Sequence, residues 1–205
     1  MSLQQILDRK QSFGEPVQLE LGCGDRKRHQ QAIGIDLLDY EGVDVVGDVL
    51  EVLKQIPAGC VDAVFSYHFI EHVDSIEALL DELARVVKAD GVVEFVAPHF
   101  SNPYFYSDPT HRTFFGLYTL CYLSHSTLFT RTVPTYRKIL CFELLSVDLG
   151  FKSHRTFVLR YAIKYLLGKV FNSCRYMKEL YEENFCYLVP CYEIKYRLMR
   201  RAVEY

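Results

Sequence analysis

The residues best suited to bind a ligand lie in one short stretch near the start of the chain. Residues 17–21 alternate apolar side chains in a strand-like pattern, and the turn Gly-Cys-Gly follows directly at 22–24. Glycine has no Cβ, so a ligand can approach the bare backbone of such a turn closely. Glu20 precedes the turn, and Asp36 lies at the end of the next apolar run. An acid at the tip of a second strand is the group that holds ribose hydroxyls in nucleotide-binding α/β folds.

The spacing of these residues argues against a dinucleotide ligand. A dinucleotide fingerprint requires a third glycine at the position that Lys27 occupies here. Asp36 also follows Gly22 by only 14 positions, which is short of the ~20 typical of that fingerprint. A different nucleotide ligand is therefore favoured.

The stretch resembles the first motif of class I S-adenosylmethionine (SAM) methyltransferases, which reads acid-x-Gly-x-Gly-x-Gly. Glu20, Gly22 and Gly24 match this pattern, whereas Arg26 stands in place of the last glycine. The link to the second strand is short, so it leaves room for at most a stub of the first helix of the family. The resemblance implies that SAM binds at this turn.

Three further segments keep the order and spacing of that family, over roughly residues 16–100. Asp48 and Val49 match the acid and the apolar residue that contact adenine in the family. Residues 62–72 resemble the segment D-x-V-x-S-x-x-V-L-E-H around the end of the fourth strand, and residues 83–98 resemble L-x-R-V-L-K-P-G-G and the fifth strand. The resemblance implies cofactor contacts from Glu20, Gly22, Cys23, Gly24, Asp36, Leu37, Asp48, Val49, Ser66, Tyr67, His68 and His72.

Two of these residues have an ordinary structural alternative. Asp48 is also suited to be the N-cap of a helix that begins at Val49, and the two roles can coexist. His72 is equally well interpreted as a histidine that packs a helix. Glu71 beside it is interpreted as an orienting group.

Histidines beyond the fifth strand are candidates for acid–base chemistry. Methyl transfer from SAM depends mostly on alignment of nucleophile, methyl and sulfur, but an oxygen nucleophile also needs a base that works near neutral pH. His111 is the first candidate because Asp108, three positions earlier, could orient it, and His99 is a further one. In the alternative interpretation, Asp108 and Pro109 simply form a turn and His111 caps a helix.

The same segment supplies candidate walls for the substrate pocket. These are Tyr104, Tyr106, Arg112 and Phe115. Residues 108–115 resemble a segment of bacterial methyltransferases linked to glycan and secondary-metabolite synthesis. The implied reaction is methyl transfer to a small-molecule or saccharide acceptor, at oxygen. N-methylation of a small amine, a protein or RNA stays an alternative, and so does a SAM-binding partner protein without catalysis.

The alternation of strand and helix patterns over residues 16–98 predicts an α/β, doubly wound parallel sheet. The family resemblance implies the rest of the fold class, a Rossmann-like and mostly parallel sheet with an antiparallel last strand and an α-helical insertion. The predicted helices cover residues 3–13, 75–88, 116–131 and 160–183, and residues 142–151 resemble the late helix and turn of the family. The predicted strands cover residues 17–21, 32–37, 43–49, 61–66, 92–98 and 192–198. We expect one domain over residues 1–205, with a cofactor-binding half at 1–100 and a substrate-binding half at 101–205 whose helical insertion lies near 116–185.

Composition and charge narrow the classes of protein further. The first 100 residues carry 8 Lys/Arg and 18 Asp/Glu, and the remainder carries 15 and 8, which favours an anionic acceptor or surface for the second half. The seven cysteines form no C-x-x-C pair, which indicates a reducing compartment such as the cytoplasm. The seven histidines are scattered, so the sequence predicts no metal. No specific nucleic-acid partner is expected, whereas a membrane-surface helix at 160–183 and a homodimer stay open alternatives.

Overall fold

The computed structural model describes residues 3–135, 141–153 and 156–202. Its helices are α1 Leu3–Ser12, α2 Val49–Lys54, α3 Ile76–Val86, α4 Val158–Phe171 and α5 Arg175–Leu180, with 3-10 turns at Pro103–Ser107 and Thr119–Tyr122 and a π turn at Tyr181–Phe185. Its strands are β1 Gln18–Leu21, β2 Ile33–Asp36, β3 Val45–Val46, β4 Val61–Tyr67, β5 Val87–Pro98, β6 Phe142–Gly150 and β7 Glu193–Arg200. No helix within these residues is long and apolar enough to cross a membrane.

The strands form one mixed sheet in the order β3-β2-β1-β4-β5-β7-β6. Strands β1 to β5 pair in parallel, and β7 runs antiparallel to both β5 and β6. The strand order reverses between β1 and β4, because the chain moves outward from β1 in both directions. A crevice at such a reversal, beyond the carboxyl ends of the strands, is where ligands bind in open α/β sheets. The predicted fold class, including its antiparallel last strand, is confirmed.

The core explains why the first half of the chain folds as the sequence predicts. Most of the buried side chains of β1, β2 and β4 are branched and apolar, namely Leu19, Leu21, Ile33, Ile35, Val61 and Val64. Helix α3 buries Leu79, Leu80 and Leu83, and each fully buried leucine side chain stabilises the fold by about 1.5–3 kcal/mol. Its N-terminus begins after Ser75, whose hydroxyl accepts a hydrogen bond from the Ala78 N–H.

Helix α3 ends earlier than predicted. Val86 is its last residue, and Val87 begins β5 by pairing with Val61. Lys88 therefore lies in the strand and contacts Asp62 with Nζ 2.6 Å from Oδ1, rather than completing the last turn of the helix. The early strand start is accommodated by an irregularity in the β4–β5 pairing between Val61 and Ala63.

The predicted helix at 116–131 is wrong, because only the short 3-10 turn Thr119–Tyr122 forms there. Two carboxylates, one in α5 and one in the π turn after it, accept hydrogen bonds from the backbone of this region in place of α-helical hydrogen bonds. Glu182 accepts from the Leu117 N–H at 2.6 Å, and Glu179 accepts from the Thr130 and Arg131 N–H groups at 2.8 and 3.1 Å. The backbone of this region is therefore held by contacts with α5 and the π turn rather than by α-helical hydrogen bonds.

Residues 142–151 also differ from the expected late helix, because Phe142–Gly150 is strand β6. Its buried side chains are Phe142, Leu144, Val147 and Leu149. The spacing changes from two to three where the register with β7 shifts between Leu144 and Ser146. A bulge of this kind moves one residue out of the alternation, which gave the strand a helix-like apolar pattern.

Two glycines with similar φ angles allow a test of how tightly the turn after β1 packs against Phe69. Gly22 has φ +62°, and a Cβ there would overlap the ring of Phe69. Gly59 has a matching φ of +63° with open space around it. We expect Gly59→Ala to cost about 1–2 kcal/mol of unfolding free energy through backbone strain, and Gly22→Ala to cost about 1–3 kcal/mol more through overpacking. Urea unfolding of the two variants measures this difference, and equal losses would contradict the contact.

Candidate functional site

The glycine turn after β1 is bonded directly to the acid at the tip of β2. Gly24 has φ +55° with open space around it, and its N–H donates to Asp36 Oδ2 at 2.8 Å. The Leu38 N–H donates to the other oxygen, Oδ1, at 3.0 Å. Each carboxylate oxygen can accept a further bond, and Asp36 is only half-buried. The predicted pair of turn and acid therefore lies together at the crevice.

Glu20 is buried and organises the loop that replaces the first helix. Its carboxylate accepts hydrogen bonds from the Arg28 N–H at 2.9 and 3.0 Å and from the His29 N–H at 2.7 Å. These bonds offset the cost of removing a carboxylate from water. Burial raises the pKa of the neighbouring Cys23 thiol to about 11, with further contributions from the charges of Asp36 and Glu20. The Cys23 side chain is therefore an uncharged thiol at neutral pH.

The tips of β2 and β3 present apolar surface beside Asp36. Leu37 is 68% exposed and Val46 is 52% exposed. Asp48 caps α2, since its Oδ1 accepts from the Glu51 N–H at 3.1 Å, and Val49 packs in the core. The structure therefore shows the capping role of Asp48, which leaves its second carboxylate oxygen able to accept from a ligand.

The end of β4 carries a buried hydroxyl and a layered aromatic group. Ser66 is fully buried, and its Oγ has no hydrogen-bond partner among the described residues. Tyr67 bonds through its hydroxyl to His29 Nε2 at 2.8 Å. The guanidinium of Arg28 lies 4.1 Å from the Tyr67 ring centroid, and His29 stacks on Phe65 with centroids 3.7 Å apart. The loop held by Glu20 thus covers the end of β4, which the sequence analysis missed because histidine and arginine there match no motif.

His68 is a strained and positively charged residue at the same strand end. Its φ of +55° is unusual for a residue other than glycine, and such strain concentrates at functional sites. Its Nε2 lies 3.2 Å from Glu193 Oε2, and its Nδ1 lies 3.7 Å from Glu71 Oε1. Burial lowers the pKa of His68, but the bonds to Glu193 and Glu71 outweigh this effect and raise it to about 9. His68 therefore carries a positive charge at neutral pH.

The turn after β4 is joined to the segment after β5 by backbone bonds. The Arg112 N–H donates to the Glu71 carbonyl at 2.8 Å. This bond brings the ring of His72 to the ring of His111, with centroids 4.8 Å apart. Residues nearly forty positions apart in sequence therefore meet at the crevice.

Both rings of this pair are held through their Nδ1 atoms. His72 Nδ1 lies 2.8 Å from Thr110 Oγ1, and His111 Nδ1 lies 2.8 Å from the carbonyl of Phe105. His111 Nε2 is 3.7 Å from Asp108 Oδ2, a separation too long for a hydrogen bond. Asp108 instead accepts from Thr110, through N at 2.9 Å and Oγ1 at 2.6 Å. The Phe105 carbonyl, rather than Asp108, fixes the orientation of His111.

The remaining predicted residues separate into buried and exposed groups. His99 is fully buried, with Nδ1 on Ser101 Oγ at 2.8 Å and Nε2 on Glu182 at 3.2 Å. Phe115 is also fully buried in the core. Because both side chains are buried, neither can contact a methyl acceptor, and we interpret them as structural residues. Tyr104 and Tyr106 are exposed, and Arg112 is an exposed cation that pairs with Asp74 at 2.8 Å.

A groove of about 850 Å³ lies next to His68, between the 3-10 turn after β5 and helix α4. Its lining combines apolar or aromatic side chains with cations, including Tyr104, Phe157, Leu188, Tyr192, Lys152 and Lys164. Lys152 also contacts Glu193, the partner of His68. The groove was not foreseen from the sequence, since its walls come from three separate segments.

Comparison with known proteins agrees with this architecture. Residues 19–95 match the family described as "Methyltransferase domain". The fold is similar to a SAM-dependent methyltransferase from Archaeoglobus fulgidus, with TM-score 0.60, 17% identity, and coverage of 97% of this chain and 95% of that one. It is also similar to YcgJ from Bacillus subtilis, with TM-score 0.51, 14% identity, and coverage of 98% and 100%.

A third solved structure contains bound ligands. Phosphoethanolamine N-methyltransferase 2 from Haemonchus contortus, in complex with phosphomonomethylethanolamine and S-adenosylhomocysteine, has TM-score 0.54 and 14% identity over 98% of this chain and 53% of that one. No curated protein matches the sequence. Residues 19–95 therefore match the methyltransferase domain family, and the fold is similar to that of SAM-dependent methyltransferases of known structure.

Proposed function

We propose that this protein transfers a methyl group from SAM to an oxygen of a small-molecule or saccharide acceptor. The observation that supports the proposal is the contact between two turns, because a Cβ on Gly22 in the turn after β1 would overlap Phe69 in the turn after β4. The first turn is bonded to Asp36, and the second continues into His72, one of two histidines fixed through Nδ1. The turn with Asp36 suits a nucleoside, and the histidine pair suits the deprotonation of a hydroxyl group.

In this proposal Asp36 accepts the ribose hydroxyls, since each of its oxygens keeps a lone pair free of the turn. The exposed Leu37 flanks the adenine and Asp48 accepts from its amino group, while Val49 lies mostly in the core beneath them. The turn at 22–24 receives the methionine end. The positive charge of His68 attracts the methionine carboxylate, and the unpartnered Ser66 hydroxyl lies within the same strand end.

The reaction requires positioning more than covalent assistance. The acceptor oxygen forms a bond to the methyl carbon, the carbon–sulfur bond breaks, and its electron pair remains on sulfur in S-adenosylhomocysteine. The acceptor proton must leave in the same process. Since His111 Nδ1 donates to a carbonyl, the neutral ring presents a lone pair at Nε2. We therefore assign the receipt of that proton to His111, which the Phe105 carbonyl positions, while Thr110, itself bonded to Asp108, positions the neighbouring His72.

The acceptor is proposed to be anionic and partly apolar. Tyr104, Lys152 and Lys164 line one groove with exposed apolar side chains of α4, and Tyr106 and Arg112 lie exposed along the adjoining segment. Aromatic walls suit sugar or aliphatic faces, whereas lysine and arginine suit phosphate or carboxylate. Within the proposed halves, residues 1–100 hold the cofactor and residues 101–205 hold this acceptor.

Asp36→Ala tests the cofactor site. It removes the acceptor of the ribose hydroxyls, and hydrogen bonds to a charged group are worth about 1.5–3 kcal/mol. We expect the affinity for SAM to fall at least about tenfold, by isothermal titration calorimetry. Asp39→Ala removes an exposed carboxylate three residues away and should leave the affinity unchanged. Unchanged affinity in Asp36→Ala would exclude Asp36 as the ribose acid.

His111→Ala tests the proton acceptor. We expect the chemical step in single-turnover kinetics to slow by about 10²–10⁴-fold, the range for loss of a general base, while SAM affinity hardly changes. His125→Ala, which removes an exposed histidine elsewhere, is the matched control. A normal chemical step in His111→Ala, or a product methylated at nitrogen, would contradict the assignment.

A further inference from the structure

We propose that Glu71, His72 and His111 form a binding site for one divalent transition-metal ion. One potential ligand atom from each residue lies within 4.8 Å of the others. Bonds from zinc to histidine nitrogen or carboxylate oxygen measure about 2.0–2.2 Å, which places tetrahedral ligands roughly 3.5 Å apart, so binding requires the side chains to close in by about 1 Å. The backbone bond from Arg112 to Glu71 already holds the two segments in contact.

The histidine tautomers leave the correct atoms free. The Thr110 hydroxyl lies 2.6 Å from Asp108 Oδ1, and a carboxylate can only accept, so the hydroxyl donates there. It must then accept from Nδ1–H of His72. His111 Nδ1–H donates to the Phe105 carbonyl. Both neutral rings therefore present an unprotonated Nε2, with the other nitrogen anchored by an oxygen in the way that is typical of metal-bound histidine.

Glu71 supplies a second and independent observation. Its side chain is 1% exposed, and its buried Oε2 has no hydrogen-bond partner among the described residues. Leaving a buried carboxylate oxygen unpaired is costly, and such groups are rare in folded proteins. The other oxygen of this carboxylate, Oε1, lies 4.0 Å from His72 Nε2, so the carboxylate borders the cluster and a cation bound to it would lower the cost of its burial. The groups facing the cluster are the cation His68, 3.7 Å from Glu71 Oε1, and Asp108, 3.7 Å from His111 Nε2.

The ligand set indicates the class of ion. Two imidazoles and one carboxylate suit zinc, iron or another first-row transition ion better than magnesium or calcium, which prefer oxygen ligands. Three protein ligands leave an open coordination position. If the proposed function is correct, the acceptor hydroxyl occupies it. Metal-bound oxygen loses its proton more readily, so with an ion bound the proton would pass to solvent and His111 would act as a ligand. The role of base assigned to His111 above would then apply only to the protein without the ion.

The sequence predicts no metal because the three ligands follow no metal-binding spacing. Glu71 and His72 are neighbours, and His111 comes after another strand and helix. Only the docking of the segment after β5 onto the turn after β4 brings them together.

Metal binding can be measured without any methyl acceptor. The protein is dialysed against a chelator, then titrated with Co²⁺ while its visible absorption and its calorimetric heat are recorded. All variants carry Cys174→Ser, because Cys174 is an exposed thiol that binds metal adventitiously. We expect one ion per chain, and a rise in melting temperature with Co²⁺ or Zn²⁺, because the ion binds the folded state.

Variants assign the ligands. His72→Ala, His111→Ala and Glu71→Gln should each lose the binding or weaken it at least about tenfold, and Thr110→Val, which removes the anchor of His72, should weaken it by about 10–100-fold. His125→Ala should bind as the parent does. Absence of stoichiometric binding to the parent, or equal binding by parent and His72→Ala, would overturn the site.

Activity then separates this inference from the proposed function. If the site holds, chelation slows the chemical step, and Co²⁺ or Zn²⁺ restores it in the parent but not in Glu71→Gln. A chemical step that is insensitive to chelator but lost in His111→Ala would overturn the metal site and leave His111 as the base. Stoichiometric metal binding without methyl transfer to any hydroxyl acceptor would instead contradict the proposed function.

Discussion

The close contact between Gly22 and the ring of Phe69 is the constraint on which the site depends. Gly22 turns the chain after β1, and Phe69 lies in the turn after β4. Because no Cβ separates them, the two turns interlock at the point where the strand order reverses. The two turns are thereby fixed relative to each other, and His68, which directly precedes Phe69, has a left-handed conformation.

Carboxylates bind backbone N–H groups in two segments that form no α-helix. Glu20 binds the N–H groups of residues 28 and 29, where a longer chain would place its first helix. Glu179 and Glu182 bind the backbone at residues 117–131 in the same way. Glu20 and Glu179 each accept from two backbone N–H groups, and Glu182 accepts from one. These bonds satisfy backbone donors in segments that have little regular secondary structure.

The contrast between segments ordered by local burial and segments ordered by distant carboxylates explains which parts of the fold could be predicted from the sequence. Strands β1, β2, β4 and helix α3 follow from apolar periodicity, because their stability comes from burial in one sheet. The segment at 116–131 could not be predicted, since its order depends on two acids about fifty to sixty-five residues later. In the site, Gly24 and Asp36 were found by motif, but the support of His111 by the Phe105 carbonyl was not. A backbone carbonyl leaves no signature in residue type.

Glu71 connects these features. Its carbonyl accepts the backbone bond that docks residues 108–115, and its carboxylate faces His68 on one side and His72 on the other. The family resemblance treats this residue as an orienting group. In this chain its Oε1 lies 3.7 Å from His68 Nδ1 and 4.0 Å from His72 Nε2. A cation bound beside His72, as in the proposed metal site, would compete with His68 for this carboxylate. One buried residue would then couple the two turns electrostatically.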